Sequence, residues 1–427
     1  MTMRVRHTQP RNETSRKKRL RGISKYDRRE SFLLQQLYFS TQQQLFLSFF
    51  LGNEELTANI AKCQENTLRR WFELTHYHEN DYVRLPRHTL TEGVIRTIDQ
   101  ALEKCGHHQQ HEFTNMFKFT PQELKIICRL LPESFYLPQQ RRGKITDEEG
   151  IMYLAARLKN ANADLRKIAN FFARDEAHIS AYIHEVSRYL LEEYGHLLDV
   201  KQMRRWNGYL DSWERAISTK IFEKIPEETY IGRFQGCNVV MDGVRLYVSL
   251  PQESETASLL VNPYLGNEAT LVFIGIVGAN GMVVGLTEGC PGRENDTGAA
   301  NLVDLYANLR VAGMKAMADS IFPHNDECAS IPKRDQWHSF GKEDLKAFSS
   351  ARVTVEWAFG EITSHFDYLR HQRKLQVGKT FPAKLFRVGV LMANFLKCFR
   401  APNATTYFNQ MKMSFETYVT MPPLQPL

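Results

Sequence analysis

Residues 235–242, QGCNVVMD, decide the fold, because a short apolar run ends there at the carboxylate of Asp242. Near residue 200 the hydrophobic period changes from helical to strand-like, so this stretch is predicted to be the first strand. Residues 270–277 and 282–288 are predicted as two further strands, joined at residues 278–281 (GANG), where Asn-Gly is a strong turn signal. Asp242 is therefore predicted at the end of a strand in a sheet.

Two more carboxylates occupy comparable places farther along the chain. Asp319 follows the short segment 314–318, and Glu356 lies about two turns into a helix predicted to start near residue 349. A further helix is predicted at about 297–311. The order strand, hairpin, helix, strand, helix places all three acids at one end of a mixed sheet, where sites commonly lie.

Three carboxylates that converge indicate a site for two divalent metal ions. Ions about 3.5–4 Å apart need bridging and terminal ligands, and oxygen donors suit Mg²⁺ or Mn²⁺. Singly, each acid has a simpler explanation: Asp242-Gly243 is a hairpin-turn dipeptide, Asp319 can cap a helix, and Glu356 can be a solvated helix carboxylate. Arg352, one turn before Glu356, is predicted to hold a phosphate or orient the carboxylate, with a simple helix pair as the alternative.

Residues 114–200 are predicted as several short helices that include a segment resembling a helix–turn–helix. Both of its helices have an apolar inner face, so their other positions are expected to face a DNA groove. The alternative is an ordinary helical bundle, because the turn lacks glycine and the second helix carries acids that would repel phosphate. The outward positions of the second helix are His178, Ser180, Ala181 and His184. The residues predicted to contact DNA are Arg166, Lys167, Arg174, His178, Ser180 and Arg352.

Composition and charge indicate a soluble chain with more than one domain. The 427 residues are 43% hydrophobic and 24% charged, which is ordinary for soluble proteins and too long for one core. Residues 1–30 hold 11 Lys and Arg against three acids, so the net charge of +7 is concentrated there. This arm, centred on residues 16–21 (RKKRLR), predicts a nuclear-localisation or nucleic-acid patch, with a solvated disordered tail as the alternative.

Other classes of protein are disfavoured. No window offers the roughly 18–20 consecutive apolar residues of a membrane span, and the start of the chain does not have the pattern of a signal peptide. Seven scattered cysteines without a Cys-x-x-Cys pair predict reduced thiols. We therefore expect no membrane partner and a reducing compartment.

The predicted fold class is α+β, with a helical region followed by a mixed α/β catalytic domain. A helix start at residues 120–123 (TPQE), with Pro at the first helical position, supports a boundary near residue 110. The predicted segments are a basic disordered arm (1–30), a helical region of unknown role (31–113), the helix–turn–helix-like DNA-binding region (114–200), the catalytic domain (201–400) and a C-terminal tail (401–427).

Four strings resemble the DDE transposases of the PIF/Harbinger superfamily and their domesticated nuclease relatives. They are residues 240–243 (VMDG), 291–296 (PGREND), 318–323 (ADSIFP) and 352–360 (RVTVEWAFG). The resemblance spans roughly residues 120–400, including residues 158–191 and a late helix at 382–399 with Asn394. The chain departs from the family at Ala318, where Gly is common, and at Ile321-Phe322, where Gly-Tyr is common.

The resemblance implies a ribonuclease-H-like catalytic fold, also found in retroviral integrases, in which Asp242, Asp319 and Glu356 match the metal-binding triad. The 37 positions between Asp319 and Glu356 are close to the separation typical of that fold. Asp296 matches another recurring family acid and is predicted to be a loop or cap residue, with contact to the metal site as the alternative.

The resemblance also implies a nuclear protein that uses two Mg²⁺ or Mn²⁺ ions to cut double-stranded DNA at terminal inverted repeats. The freed 3′ end would then be joined to a target site. A Myb-like accessory DNA-binding protein and a homo-oligomer are the expected partners. Three functional hypotheses follow: an active transposase, a domesticated DNA-binding or chromatin factor, and a nuclease without strand transfer. The intact carboxylates favour the first.

Overall fold

A computed structural model describes residues 93–106, 109–136, 144–160, 165–224, 234–252, 254–333, 342–377 and 380–425. Residues 79–251 and 259–427 form one compact unit, and residues 1–78 with 252–258 are grouped as a second. The basic arm and residues 31–92 lie outside the described residues. The six cysteines in the described ranges are free thiols. Within these ranges, no helix has both the length and the apolar character that crossing a bilayer requires.

The first part of the described chain is helical, with one small hairpin. Its elements are α1 (Ile98–Lys104), α2 (Gln109–Phe117), α3 (Pro121–Cys128), β1 (Ser134–Tyr136), β2 (Lys144–Thr146), α4 (Asp147–Lys159), α5 (Leu165–Phe172), α6 (Glu176–Tyr194) and α7 (Asn207–Phe222). Thr120 and Glu123 form a capping box at the start of α3, which confirms the predicted helix start.

The second part alternates strands and helices. Its elements are β3 (Val239–Tyr247), α8 (Ser254–Leu260), β4 (Val261–Asn262), β5 (Glu268–Gly278), β6 (Val283–Leu286), β7 (Cys290–Pro291), α9 (Asp296–Leu302), α10 (Leu305–Val311), β8 (Ala316–Ala318), β9 (Cys328–Ser330), α11 (Lys342–His365), α12 (Pro382–Phe399), α13 (Asn403–Tyr407) and α14 (Phe415–Val419).

One mixed sheet organises this second part. Its order is β4-β5-β3-β8-β9, and β6 and β7 also pair with β5. Strand β3 is antiparallel to β5 and parallel to β8, and β8 is parallel to β9. The predicted hairpin is confirmed, because β5 and β6 are antiparallel and follow each other directly. The fold is therefore mixed α and β, as the sequence predicted.

Strand β3 is longer than the sequence suggested. The apolar run was expected to end at Asp242, but β3 continues to Tyr247 because Val244 and Leu246 pair with Phe273 and Leu271 on β5. The hypothesis that Asp242-Gly243 forms a hairpin turn is therefore wrong. Asp242 lies inside the strand.

The helix prediction also needs two corrections. The single helix expected at 297–311 is two helices, since Asp304 between them adopts a left-handed φ of 49°, which interrupts helical hydrogen bonding. Helix α11 begins at Lys342 rather than near residue 349, so Glu356 lies about four turns into it. The late helix α12 has the predicted bounds.

Helices from the first part contact helices of the second. Helix α6 packs on both α4 and α12. Helix α12 is buried along most of its length and also packs on α11. The helical region and the sheet therefore share one continuous hydrophobic core. The division into five sequence segments remains a prediction.

Candidate active site

Asp242 and Asp319 lie side by side on neighbouring parallel strands. The register pairs Val239 with Ala316 and Val240 with Met317, so two steps farther along Asp242 is level with Asp319, the residue directly after β8. Side chains two residues apart point to the same face of a strand. The pairing of β3 with β8 ends at Val240 and Met317, so it brings both acids to the same edge of the sheet.

Helix α11 brings the third acid to the same sheet. The predicted apolar stripe is confirmed, because Val355, Phe359, Ile362 and Phe366 are all buried. Helix α11 packs on β3 and β5, and Phe359 of this stripe lies against Gly275 on β5. The carboxylate of Glu356, next to the stripe, is 49% exposed. It therefore lies at the border between the helix–sheet contact and solvent.

A glycine sets how closely α11 approaches the sheet. Gly275 on β5 is the register partner of Asp242. A β-carbon on Gly275 would overlap the ring of Phe359, closer than the 3.0 Å limit that real β-carbons essentially never pass. The ring of Phe359 therefore packs directly against the backbone of Gly275. This contact places the turn of α11 that carries Glu356 opposite Asp242.

Arg352 links two of the three acids. Its Nη1 donates to Oδ2 of Asp242 at 3.0 Å, and its Nη2 donates to Oε1 of Glu356 one turn along the helix. The Arg352 side chain is 16% exposed and that of Asp242 is 21% exposed. The predicted pairing of Arg352 with Glu356 is confirmed, and the bond to Asp242 shows that Arg352 also orients a second carboxylate.

Backbone groups hold the two aspartates. The amide of Gly243 donates to Oδ1 of Asp242 at 2.9 Å, and the amide of Ser320 donates to Oδ1 of Asp319 at 2.6 Å. The pKa of Asp242 is raised to about 6, chiefly by burial and also by repulsion from Asp319 and Glu356. Arg352 and the Gly243 amide act in the opposite direction. Asp319 and Glu356 are therefore close enough for their charges to act on Asp242.

A fourth carboxylate lies beside the triad. Asp296 is the first residue of α9, after the cap Asn295, and its Oδ1 accepts from Nη2 of Arg245 at 2.9 Å. A β-carbon on Gly243 would lie 2.5 Å from the Asp296 carboxylate. Burial raises the pKa of Asp296, and the charge of Asp319 contributes to the rise. Asp296 therefore belongs to the electrostatic surroundings of the site.

The donor set fits cations that prefer oxygen ligands. The triad offers only carboxylate oxygens, which suit Mg²⁺ and Mn²⁺. Among the residues that the structure describes, no three acidic, His or Cys side chains already surround a common metal position. Two of the carboxylates instead converge on the guanidinium of Arg352. The carboxylates of Asp242 and Glu356 therefore point to a common position, which a positively charged group occupies.

The residues predicted to contact DNA are found in different environments. Arg166 and Lys167 lie on α5 and are exposed, with Arg166 paired to Glu176 at 3.1 Å. Arg174 lies between α5 and α6, is 9% exposed, and binds the buried Glu149 at 2.6 Å. Arg174 therefore has a structural partner inside the protein.

The expected outward orientation of His178 is wrong. Its ring is buried and lies 4.8 Å from that of Tyr182 and 6.2 Å from that of Tyr153 on α4. Ser180, Ala181 and His184 are half-buried. The reason is that α6 packs between α4 and α12, which leaves less of its surface free than an isolated pair of helices would. DNA contact by these residues remains a prediction.

Sequence reasoning missed Gly275 and Arg245. Gly275 interrupts an otherwise apolar strand, and an isolated glycine in a strand often marks a place where another group approaches the backbone. Arg245 carried no comparable signal, because its partner Asp296 is 51 positions away in the chain. Only the fold brings these two residues together.

A protein family matches part of the chain. Residues 241–394 match the family described as DDE superfamily endonuclease. The matched segment begins one residue before Asp242, contains Asp319 and Glu356, and ends at Asn394. Searches of curated proteins and of solved structures found no match. Over this segment the chain is similar to DDE superfamily endonucleases, which supports a nuclease enzyme acting on DNA.

Proposed function

We propose that this chain is a DDE-type transposase that cuts DNA at terminal inverted repeats and joins the cut end to a target. The observation that carries the proposal is that Asp242, Asp319 and Glu356 lie near one another within the segment that matches the endonuclease family. Two neighbouring strands supply the aspartates. The glutamate comes from a helix packed on those strands, and Arg352 connects it to Asp242.

Asp242, Asp319 and Glu356 would hold two divalent ions, Mg²⁺ or Mn²⁺. When bound, such ions lower the pKa of an attacking water and stabilise charge on a leaving oxygen. The carboxylates would keep these ions in position. The Arg352 guanidinium can donate two parallel hydrogen bonds to a phosphate. In hydrolysis a water oxygen bonds to phosphorus as the bond to the 3′ oxygen breaks. In strand transfer the freed 3′-OH attacks a target phosphorus and displaces the target's 3′ oxygen.

We further propose a ribonuclease-H-like fold and membership of the PIF/Harbinger superfamily. The antiparallel strands β6, β5 and β3 followed by the parallel strands β8 and β9, with acids level on β3 and after β8, support the fold. The four strings quoted from the sequence support the superfamily. The basic arm supports a nuclear location, and the superfamily resemblance supports a homo-oligomer and a Myb-like accessory protein.

Helices α5 and α6 are the proposed DNA-binding region. The exposed basic residues Arg166 and Lys167 on α5 support it, since phosphate contacts come mainly from exposed basic side chains. Ser180 on α6 is half-buried and can add a polar contact. This region lies outside the segment that matches the endonuclease family, so its function is tested separately from cleavage.

A specific observation favours a second candidate, a domesticated protein that binds DNA without cutting it. The guanidinium of Arg352 already satisfies two of the triad carboxylates, and a permanent ion pair there would exclude metal ions. A nuclease that cuts without strand transfer is the third outcome. The three functions give different products from the same DNA.

The deciding experiment measures cleavage of supercoiled plasmid and of DNA carrying the flanking repeats, with Mg²⁺ or Mn²⁺. The variants are Asp242→Asn, Asp319→Asn and Glu356→Gln. Glu223→Gln is a matched control. Glu223 also forms an ion pair with a basic residue one helical turn earlier, and its side chain is 51% exposed, a value similar to that of Glu356. We expect cleavage by the wild type and the control, and none by the three triad variants.

The other outcomes identify the other functions. DNA binding without wild-type cleavage would favour the domesticated binding protein. Cleavage without joined products would favour a nuclease that lacks strand transfer. Cleavage that survives in any triad variant would refute the assignment of that residue.

A further inference from the structure

The guanidinium of Arg352 lies between two carboxylates of the candidate site. It donates to Oδ2 of Asp242 at 3.0 Å and to Oε1 of Glu356, and 16% of its side chain is exposed. The other oxygen of Asp242 accepts the Gly243 amide. Both oxygens of Asp242 therefore accept hydrogen bonds from groups of this chain.

An arginine in this position competes with any other cation for the same oxygens. Arginine keeps its charge at all physiological pH values, so Arg352 cannot leave Asp242 and Glu356 by losing a proton. It can leave only by exchanging partners. A partially buried guanidinium stays stable after such an exchange only if another anion takes the place of the carboxylates.

A DNA phosphate is an anion of the right geometry. The guanidinium fork binds phosphate with two parallel hydrogen bonds, as it binds carboxylate. Glu356 is half-exposed, so the bridging pair lies near the surface, where a phosphodiester can reach it. The position of Arg352 one turn from Glu356 allows its side chain to turn toward solvent without a change in the helix.

We propose that Arg352 is an exchangeable counter-ion, which Asp242 and Glu356 hold until a DNA phosphate takes over its guanidinium and leaves both carboxylates for metal ions. This inference rests on the proposed function. It makes metal binding and DNA binding mutually dependent, since coupling between two ligands is reciprocal. DNA raises the affinity for metal, and metal raises the affinity for DNA by the same factor.

The test measures Mn²⁺ affinity by the paramagnetic resonance signal of free Mn²⁺, without DNA and with a short duplex oligonucleotide. In wild-type protein we expect the duplex to raise Mn²⁺ affinity by about tenfold, within the range usual for coupled sites. Arg352→Gln should bind Mn²⁺ about tenfold more tightly than wild type without DNA, and the duplex should then add little. A merely structural role for Arg352 would not tighten metal binding.

Arg188 provides a matched control. It also bridges two carboxylates on a helix, Glu185 and Glu192, outside the site. Arg188→Gln should leave the Mn²⁺ affinity of the DNA-free protein unchanged. Arg352→Lys retains the charge but not the fork, so it is expected to fold and to lie between wild type and Arg352→Gln. It also decides the question if Arg352→Gln does not fold.

Two failures are distinguishable. If Asp242→Asn binds Mn²⁺ as tightly as wild type, the metal site itself is misassigned and the proposed function fails. If Asp242→Asn loses Mn²⁺ binding but Arg352→Gln and Arg352→Lys bind Mn²⁺ like wild type, the site stands and the counter-ion role is overturned. Absence of reciprocal coupling in the wild type would overturn it as well.

Discussion

The aromatic ring of Phe359 lies directly on the backbone of Gly275, in the space that a β-carbon would fill. Gly275 is the register partner of Asp242 on the adjacent strand, and Phe359 is three residues after Glu356 on α11. The contact therefore sets the distance between the helix that carries one acid and the strand that carries another. The geometry of the candidate site depends on a residue with no side chain.

A methyl group at Gly275 should separate the helix from the sheet. Gly275→Ala forces the buried ring of Phe359 to move within a packed core, and overpacking of this kind costs about 1–3 kcal/mol of unfolding free energy. We expect a lower midpoint in urea unfolding and weaker cleavage, because Glu356 moves with α11.

Gly360→Ala is the matched control for this change. It is the next residue along α11, and a β-carbon there meets nothing within 4 Å. An exposed helical Gly→Ala change stabilises by about 0.5–1 kcal/mol. Equal effects of the two substitutions would show that the Phe359 contact does not limit the approach of α11.

Local patterns of the sequence were sufficient for most elements. The strand-like apolar runs at 270–277 and 282–288 predicted β5 and β6, the Asn-Gly pair predicted their turn, and the stripe at 355–366 predicted a buried face. The errors occurred where tertiary contacts determine the local structure. Asp242-Gly243 has the composition of a turn, but pairing along β5 carries the strand through it.

The site itself was only partly predictable. The three acids could be chosen because each follows or lies within a recognisable element. The contact from Arg352 to Asp242 spans 110 positions, and no local pattern contains such information. His178 was expected at the surface because its helix is amphipathic, but α4 covers that face. Which face a helix buries depends on how many neighbours it has.

The metal-free protein should lose stability as pH rises through the range in which Asp242 ionises. Burial raises its pKa from 3.8 to about 6, so between these values the folded chain holds a proton that the unfolded chain has released. Stability then falls with rising pH across about pH 4–6. The change is up to about 3 kcal/mol, at roughly 1.4 kcal/mol for each pH unit.

Asp242→Asn removes this dependence. With EDTA present, the stability of the variant relative to wild type should rise between about pH 4 and 6 and stay level above that range. Urea unfolding at several pH values measures the difference. A difference that is constant with pH would mean that the bond from Arg352 offsets burial, and a change in the opposite direction would mean that it outweighs burial.

Gly243 should tolerate a side chain only if Asp296 is shortened. The β-carbon of Gly243→Ala would lie 2.5 Å from the Asp296 carboxylate, which it would push away from Arg245. We expect Gly243→Ala to destabilise the fold and Asp296→Ala to relieve part of that cost in the double variant. A coupling free energy of roughly 1–3 kcal/mol is expected from unfolding measurements on the four proteins. Additive effects would contradict the close approach.

Two arginines predicted to bind DNA should behave differently when replaced. Arg174→Ala leaves the buried carboxylate of Glu149 without its positively charged partner, and loss of one member of a buried ion pair costs about 3–5 kcal/mol. Arg166 is 73% exposed, so Arg166→Ala should change stability by no more than about 0.5 kcal/mol. Arg166→Ala should weaken DNA binding and lower by about one the slope of log affinity against log salt concentration. Unchanged DNA affinity would remove Arg166 from the DNA-binding region.

Asn394 should be the most sensitive position of α12, because its side chain satisfies the backbone of β6. Its Oδ1 accepts from the Val283 amide at 3.1 Å, and its Nδ2 donates to the Val283 carbonyl and to the Tyr418 hydroxyl, each at 2.8 Å. Asn394 and Tyr418 are fully buried. In Asn394→Leu three polar groups lose their partner, and each unsatisfied group costs about 1–3 kcal/mol. A loss of several kcal/mol is expected in urea unfolding.

Tyr418→Phe separates one of these contributions from the others. Alone it removes a single hydrogen bond and should cost about 1 kcal/mol. Combined with Asn394→Leu it should cost less than the sum of the two, because the orphaned hydroxyl of Tyr418 is then absent. If the two costs add, the hydroxyl is satisfied by another group in Asn394→Leu, and the Val283 backbone alone explains the sensitivity of this position.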